Sequence, residues 1–555
     1  MRTLRMLFAV LCAAASITAS PVHAQSGGTA SATPAAPVLD AGLGATHMAI
    51  TTKVPDAQKW FDQGLRLLHA FNPEESEKAF RRAAELDPAC AMANWGIAMS
   101  NGNNINVPRL PWRDSTEYVY AQKALAMKAQ GSPKEQALIE ALAKRTLAAL
   151  PEKPDDQHAL DVAYGDAMRA VAKQFPNDPD VLTFFAEALM DEYPWHLFGP
   201  GPDLAPSPVT AEVIATLEKA LKIAPKHLGA NHLYIHAVES SGNPEKGVPS
   251  AERLVNQTPD AGHLLHMPSH IFERVGRYAE AAQVNRDAVR IDERYFARPD
   301  AGMLYTPYLA HNRQFIAYCT MIEGRYGESV KLAHDAAATI PGEMFAMMPG
   351  MDFFCVTPYA VEVKFGKWDE ALAEPAPPTS LLYTTAYWHF ARGMAYAGKK
   401  QMAEAKVERD SVAFLRGALA EGATEGVNSA STLLGMCLGT LDGAMARANG
   451  DLAGAVTQFR QVVATEKTLQ YNEPPDWLLF PRHDLGNALL EAGKPAEAEA
   501  AFREDLAIRA ENGWGLTGLQ QSLTAQKKTA EAAKVAARCG KAWSRADGKI
   551  AVAAY

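Results

Sequence analysis

Two pairs of histidines, His232 with His236 and His266 with His270, are each spaced by four residues, and the second pair repeats the first after 34 residues. A spacing of four puts both rings of a pair on one face of a helix. A chain that repeats such a face at a fixed period of this size is built from stacked supersecondary units rather than from one compact core. A unit of 34 residues has room for two helices of ordinary length and a turn. It cannot bury its apolar face alone, so each unit demands neighbours, and the contacts between them are local.

The same ladder runs through the rest of the chain. In QKWFDQGLRLLHAFNPEESEKAFRRAAELDP (58–88), Trp60, Gly64, Leu67, Phe80, Ala83 and Pro88 stand at helix-packing positions, with apolar residues at helical spacing on both sides of the turn. The small residues let two helices approach closely, the aromatic fills the gap and the proline ends the second helix. A second unit starts at Ala91 and runs into the irregular stretch NGNNINVPRLPW, and a third starts at Asp180 and is interrupted by HLFGPGPDLAPSPV. Turn triplets recur as Gly276-Arg277-Tyr278, Gly324-Arg325-Tyr326, Gly366-Lys367-Trp368, Ala397-Gly398-Lys399, Asn449-Gly450-Asp451 and Ala492-Gly493-Lys494. Strand patterns are absent from this reading.

These motifs resemble the tetratricopeptide repeat superfamily. The resemblance implies an all-α solenoid of about ten to eleven helical hairpins over residues 46–555, with the histidine-rich repeats at 228–345. It also implies a concave groove lined by positions 2, 5, 9, 12 and 13 of each first helix. The phrases NHLYIHAVE and HMPSHIF are similar to those of exported bacterial repeat proteins, a likeness that bears on fold and not on activity.

With Leu228, Gly262 and Ala310 as first residues of three successive units, His232 and His266 fall at position 5, His236 and His270 at position 9, and His263 and His311 at position 2. Six imidazoles are thereby expected on one groove. Adjacent helices pack about 8 to 10 Å apart, so rings from both can share an ion at about 2.0 to 2.1 Å. All-imidazole ligation suits zinc, copper, iron or nickel and disfavours calcium and magnesium, with copper or zinc expected first. Glu187, Glu239 and Glu273 are expected to face the same groove, with Glu187 and Glu239 as candidate catalytic carboxylates. Pro268 should kink its helix and re-aim His270. HLYIH lacks the glutamate of the HExxH metalloproteases. The count of six histidines resembles that of coupled dinuclear copper proteins, in which each copper takes three imidazoles, although on a different helical scaffold. Met344, Met347, Met348 and Met351 around Cys355 would suit copper if they reach the groove, but read better as core filling.

Composition narrows the setting. Residues 1–24 have Arg2 and Arg5, an apolar run and Val22-His23-Ala24 before Gln25, the layout of a cleavable signal, and Gln25 to about residue 45 is a small, polar tether. A periplasmic or secreted protein is expected. Without the leader, 52 basic residues face 63 acidic ones, 52 − 63 = −11, which argues against a nucleic-acid partner. No later run is long enough to span a membrane. Five scattered cysteines outside the leader, with no CxxC, read as free thiols. Two functions compete: an exported metalloprotein, oxidative or hydrolytic, or a scaffold that binds a small molecule or peptide in the groove. A metal store or carrier would share the first site.

Overall fold

The computed structural model describes residues 38–554 apart from 150, 152, 202 and 203. The expected signal peptide and most of the expected linker lie outside the described residues. Among the described residues there are 26 α-helices, and the only named strands are the two-residue pair Thr424–Glu425 and Asn428–Ser429. The helices follow one another as antiparallel hairpins, a dozen of them, slightly more than the ten or eleven expected.

Local chemistry explains where they begin. Pro73, Pro133 and Pro179 each occupy the first helical turn, where a missing N–H costs nothing. Just before them, Asn72, Ser132 and Asp178 accept backbone N–H groups of that turn through their side chains. Close packing follows the small-residue ladder. Phe80 is wedged between Gly64 and Gly96, where an added Cβ would lie 2.7 Å and 2.4 Å from its ring. Near the other end Phe502 is held in the same way between Gly486 and Gly518.

The concave groove that the resemblance implies is covered. Lys78 Nζ donates to the backbone carbonyl of Asp300 at 2.8 Å, and Glu74 accepts from the backbone of Leu304. The Tyr278 hydroxyl donates to the carbonyl of Ala510 at 3.0 Å, and Trp514 Nε1 donates to the carbonyl of Met321 at 3.0 Å. Gln470 reaches back to the carbonyls of Trp195 and Phe198. Early and late repeats thus pack on the middle ones, and the face that carries the histidines becomes the interior. At the end of the expected tether Leu43 is buried, Asp40 donates its backbone N–H to Gln63, and Asp260 donates its backbone N–H to the carbonyl of Gly42.

Gly276, in the turn of the fifth repeat, has φ of +79°, and a Cβ there would lie 2.6 Å from the carbonyl oxygen of Ala510. Gly276→Ala is therefore expected to lower the unfolding free energy by about 2 kcal/mol, combining left-handed strain with loss of the close approach. Urea titration followed by far-ultraviolet circular dichroism reads the shift, and an unchanged midpoint would mean the late repeats do not press on this turn.

Candidate metal centre

His232 and His236 come from the helix Leu228–Glu239. The next first helix is broken: Gly262–His266 and Pro268–Arg274 meet at Met267, as Pro268 predicts, with His263 and His266 before the break and His270 after it. His311 comes from Thr306–Ile322, which starts four residues before the expected first position. Five of the six rings are buried, with His311 half-buried.

The six converge as two triads. His232 Nε2 lies 3.2 Å from both His236 Nε2 and His263 Nε2. His266 Nε2 lies 2.6 Å from His270 Nε2 and 3.2 Å from His311 Nε2. Each triad takes positions 5 and 9 of one repeat and position 2 of the next. Phe71 packs against the rings of the first triad, 4.5 Å from His232 and 5.4 Å from His263. Phe315 packs against the second, stacked at 2° on His270. The triads adjoin through His236 with His270 and His263 with His266, at ring centroid separations of 5.6 and 5.9 Å.

What faces the Nδ1 atoms settles the protons. His232 Nδ1 lies 2.7 Å from the carbonyl oxygen of His69, and His236 Nδ1 lies 2.9 Å from Glu239 Oε1. His266 Nδ1 lies 2.6 Å from Asn285 Oδ1, whose amide nitrogen is committed to the carbonyl of Ala281. His270 Nδ1 lies 2.6 Å from Glu239 Oε2. Every partner is an acceptor, so all four Nδ1 atoms carry hydrogen, and in the neutral rings the Nε2 atoms present bare lone pairs to one another. Tetrahedral ligands on a 2.0 to 2.1 Å ion sit about 3.3 Å apart, close to the spacing of three of these four contacts. Acceptors that fix the far nitrogen are the usual outer support of metal-bound histidine.

The carboxylates divide differently from the expectation. Glu239 spans the triads, one oxygen accepting from each. Burial alone would raise its pKa, but His236 and His270 hold it down to about 2. It is a clamp with both oxygens engaged rather than a free base. Glu187 is not among the carboxylates that touch the histidines. It lines a separate small cavity beyond Phe71, with Met99 and Asn103, and burial raises it to about 7 against the pull of Arg145. Glu273 is buried and raised, beside Arg274 and Arg509. Of the methionines around Cys355, Met344, Met348 and Met351 pack with Ile340 and Phe354 in their own apolar cluster, while Met347 is exposed.

Sequence reasoning missed Glu473. It is buried in the loop YNEPPDW, with Oε1 2.8 Å from His270 Nδ1. Because that single Nδ1 hydrogen points at Glu239, both Glu473 oxygens lack a hydrogen-bond donor among the described residues. The loop had only its proline content to suggest a cover. Asn285 and Phe315, at helix-packing positions, gave no signal at all. A narrow cleft lined by Trp195, Tyr193, Tyr471, Leu197 and Met190 leads to His236 and Glu239, with a volume of about 20 Å³, enough for a water molecule.

A tetratricopeptide repeat family model matches residues 482–511. The repeat is thus recognised in one unit of the ladder. No curated protein matches the chain. Among solved structures, the human IFIT1 dimer with m7Gppp-AAAA is similar at 11% identity and TM-score 0.34, covering 89% of this chain and 91% of that one. The APC/C hetero-tetramer Cut9-Hcn1 gives 14% identity and TM-score 0.33, covering 89% and 76%, and yeast Tom70 gives 12% and 0.35, covering 85% and 96%. All three superpose only partially. Among the described residues no helix is long and apolar enough to cross a membrane.

Burial, and then the neighbouring histidines, hold His232, His263 and His266 well below the usual histidine range, and burial brings His311 to about 3. Burial disfavours a charge on His270 as well, but Glu473 and Glu239 overcome it and raise this ring to about 10. In metal-free protein the depressed rings contribute stability that is present above the unfolded value near 6.5 and is lost as pH falls below it. His270 contributes stability that is present below 6.5 and is lost as pH rises through about 10. Since depressed rings outnumber the raised one, urea midpoints of chelator-treated protein should fall between pH 7 and pH 5. A flat profile there would show that these rings are protonated in the folded state.

Proposed function

We propose that this chain is a tetratricopeptide-type solenoid whose two histidine triads each hold one transition-metal ion, copper or zinc before iron, as an adjoining pair. The observation that carries this reading is the convergence of Nε2 atoms at 2.6 to 3.2 Å in both triads while the opposite nitrogens of His232, His236, His266 and His270 are tied to oxygen acceptors. Without a cation, two such lone pairs repel unless a proton lies between them: His263 and His311 can turn an Nε2–H toward His232 and His266, and His270 is held charged by Glu239 and Glu473, which leaves His232 and His236 facing each other with two lone pairs. Glu239 and Glu473 supply two buried negative charges to balance the ions.

Bound ions would supply Lewis-acid or redox chemistry beside the aromatic cleft. The chain's own contribution is to hold six ring nitrogens in place, to exclude bulk water with Phe71, Phe315 and the 471–477 loop, and to leave a narrow way past Trp195 and Tyr471 to His236 for a molecule the size of water or dioxygen. We read the protein as acting outside the cytoplasm, on the strength of its leader-like first 24 residues. The burial of the histidines disfavours a peptide laid along them. Storage or delivery of metal needs the same site and no turnover, and the experiment below separates it from an enzyme.

Protein purified without a polyhistidine tag should carry two transition-metal ions on the triads per chain by elemental analysis, and His232→Ala/His266→Ala should lose both. Metal content equal in the two proteins would end this reading. Oxygen consumption or hydrolysis on addition of small aromatic substrates marks an enzyme, whereas stoichiometric metal transfer to an acceptor without turnover marks a carrier. Glu239→Gln, which keeps the shape but removes the shared charge, should weaken retention against a competing chelator by about 10- to 100-fold. Affinity at the second triad should rise with pH up to about 10, because an ion there must expel the proton held on His270.

A further inference from the structure

A second cluster of metal-ligand type lies away from the six histidines, where the helix Tyr326–Thr339 packs against the hairpin of Thr357–Phe365 and Trp368–Ala373. One ligand atom each from His334, Glu362 and Glu374 lies within 4.8 Å of the other two. His334 Nε2 is 3.2 Å from a Glu374 oxygen. Glu362 is 2% exposed, and its Oε2 has no hydrogen-bond partner among the described residues. Two carboxylates this close cannot both be ionised without a cation or a shared proton.

Among the described residues neither carboxylate is paired with a lysine or arginine; Glu374 pairs with His334, whose pKa it raises, and shares a hydrogen bond with Glu362. Lys367, which is near in sequence, lies over the Tyr326 ring and pairs with Glu370. Arg392 is committed to Glu408 and to the carbonyl of Leu372. Glu362, buried without a basic partner of its own, must keep a proton or coordinate an ion, and a cation between it, Glu374 and His334 would displace the shared proton. The backbone is set in place independently: Trp388 Nε1 donates to the Glu374 carbonyl at 3.0 Å, and Lys367 N–H donates to the Glu362 carbonyl at 2.9 Å, across the left-handed Gly366.

We propose that His334, Glu362 and Glu374 form a mononuclear site for a borderline divalent cation, best matched by zinc, which clips the seventh helical hairpin to the eighth. One imidazole and two carboxylates give three protein donors, and the side chain of His334 is 47% exposed, so the solvent side leaves coordination positions for water. The donor set differs from that of the six-histidine centre, so the two sites should differ in preference: the three-residue site accepts zinc or manganese and gives a poor home to copper(I).

The test is zinc binding to metal-depleted full-length protein, measured by equilibrium dialysis and by titration calorimetry, for wild type and for His334→Ala/Glu374→Gln. The variant is expected to bind one zinc fewer, with the poly-histidine stoichiometry unchanged. Because Glu362 is buried and its replacement can disturb folding, the variant spares it, and circular dichroism checks that the helices remain. Hydrogen exchange adds a second reading: zinc should slow exchange over 326–374 at least tenfold in wild type and not in the variant. Equal zinc stoichiometry in both proteins, with no zinc-dependent protection of 326–374, would overturn the proposal. Loss of metal from His232→Ala/His266→Ala has no bearing on that difference, so the two readings fail separately.

Discussion

Everything at the centre of this molecule depends on the Nδ1–H groups of four buried histidines being held by oxygen acceptors. A carbonyl, an amide oxygen and the two oxygens of Glu239 leave those rings no choice of tautomer. The consequence is carried across each neutral ring to Nε2, which must present a lone pair to its neighbours, whereas His270, held charged by Glu239 and Glu473, presents a hydrogen until an ion displaces it. Burial then removes the alternative of satisfying that lone pair with bulk water. The result is a set of convergent donors whose electrostatics favour a cation, with Glu239 joining the two halves.

That arrangement requires the solenoid to close. An open stack would leave positions 2, 5 and 9 on a wet groove, where each histidine could bond to water and choose its own proton. Instead the first helix meets the fourth repeat through His69, the late repeats press on the turns at Gly276 and Gly324, and the 471–477 loop delivers Glu473. These contacts join residues more than a hundred positions apart, unlike the neighbour-to-neighbour contacts that build each hairpin. Closure also sorts the aromatics: Phe71 and Phe315 are far apart in the chain yet occupy equivalent places on the two triads.

The pattern of charge separates the histidine centre from the rest of the interior. Around it, Glu239 and Glu473 lie beside imidazoles, whereas Glu187 and Asp191 lie in a network with Arg145, which is itself paired with Glu117. The candidate carboxylates of the groove are thus divided by their partners: one clamps histidines, another balances an arginine. Position 9 in the third repeat looks equivalent to position 9 in the fourth, but the loop that follows the helix at Met190 and the buried Arg145 change what the side chain meets.

The sequence alone determined the helical hairpins, their turns, the break at Pro268 and the convergence of six histidines. All of these follow from spacing along the chain, which helix geometry converts directly into shared faces. Only the tertiary structure decided that the rings divide as 232/236/263 and 266/270/311, that Glu239 bridges them while Glu187 stands apart, and that Glu473 and Asn285 complete the surroundings. A repeat period states which residues are equivalent. Which equivalents touch depends on how far the stack coils and what packs across it, and those contacts join segments whose separation leaves no periodic trace.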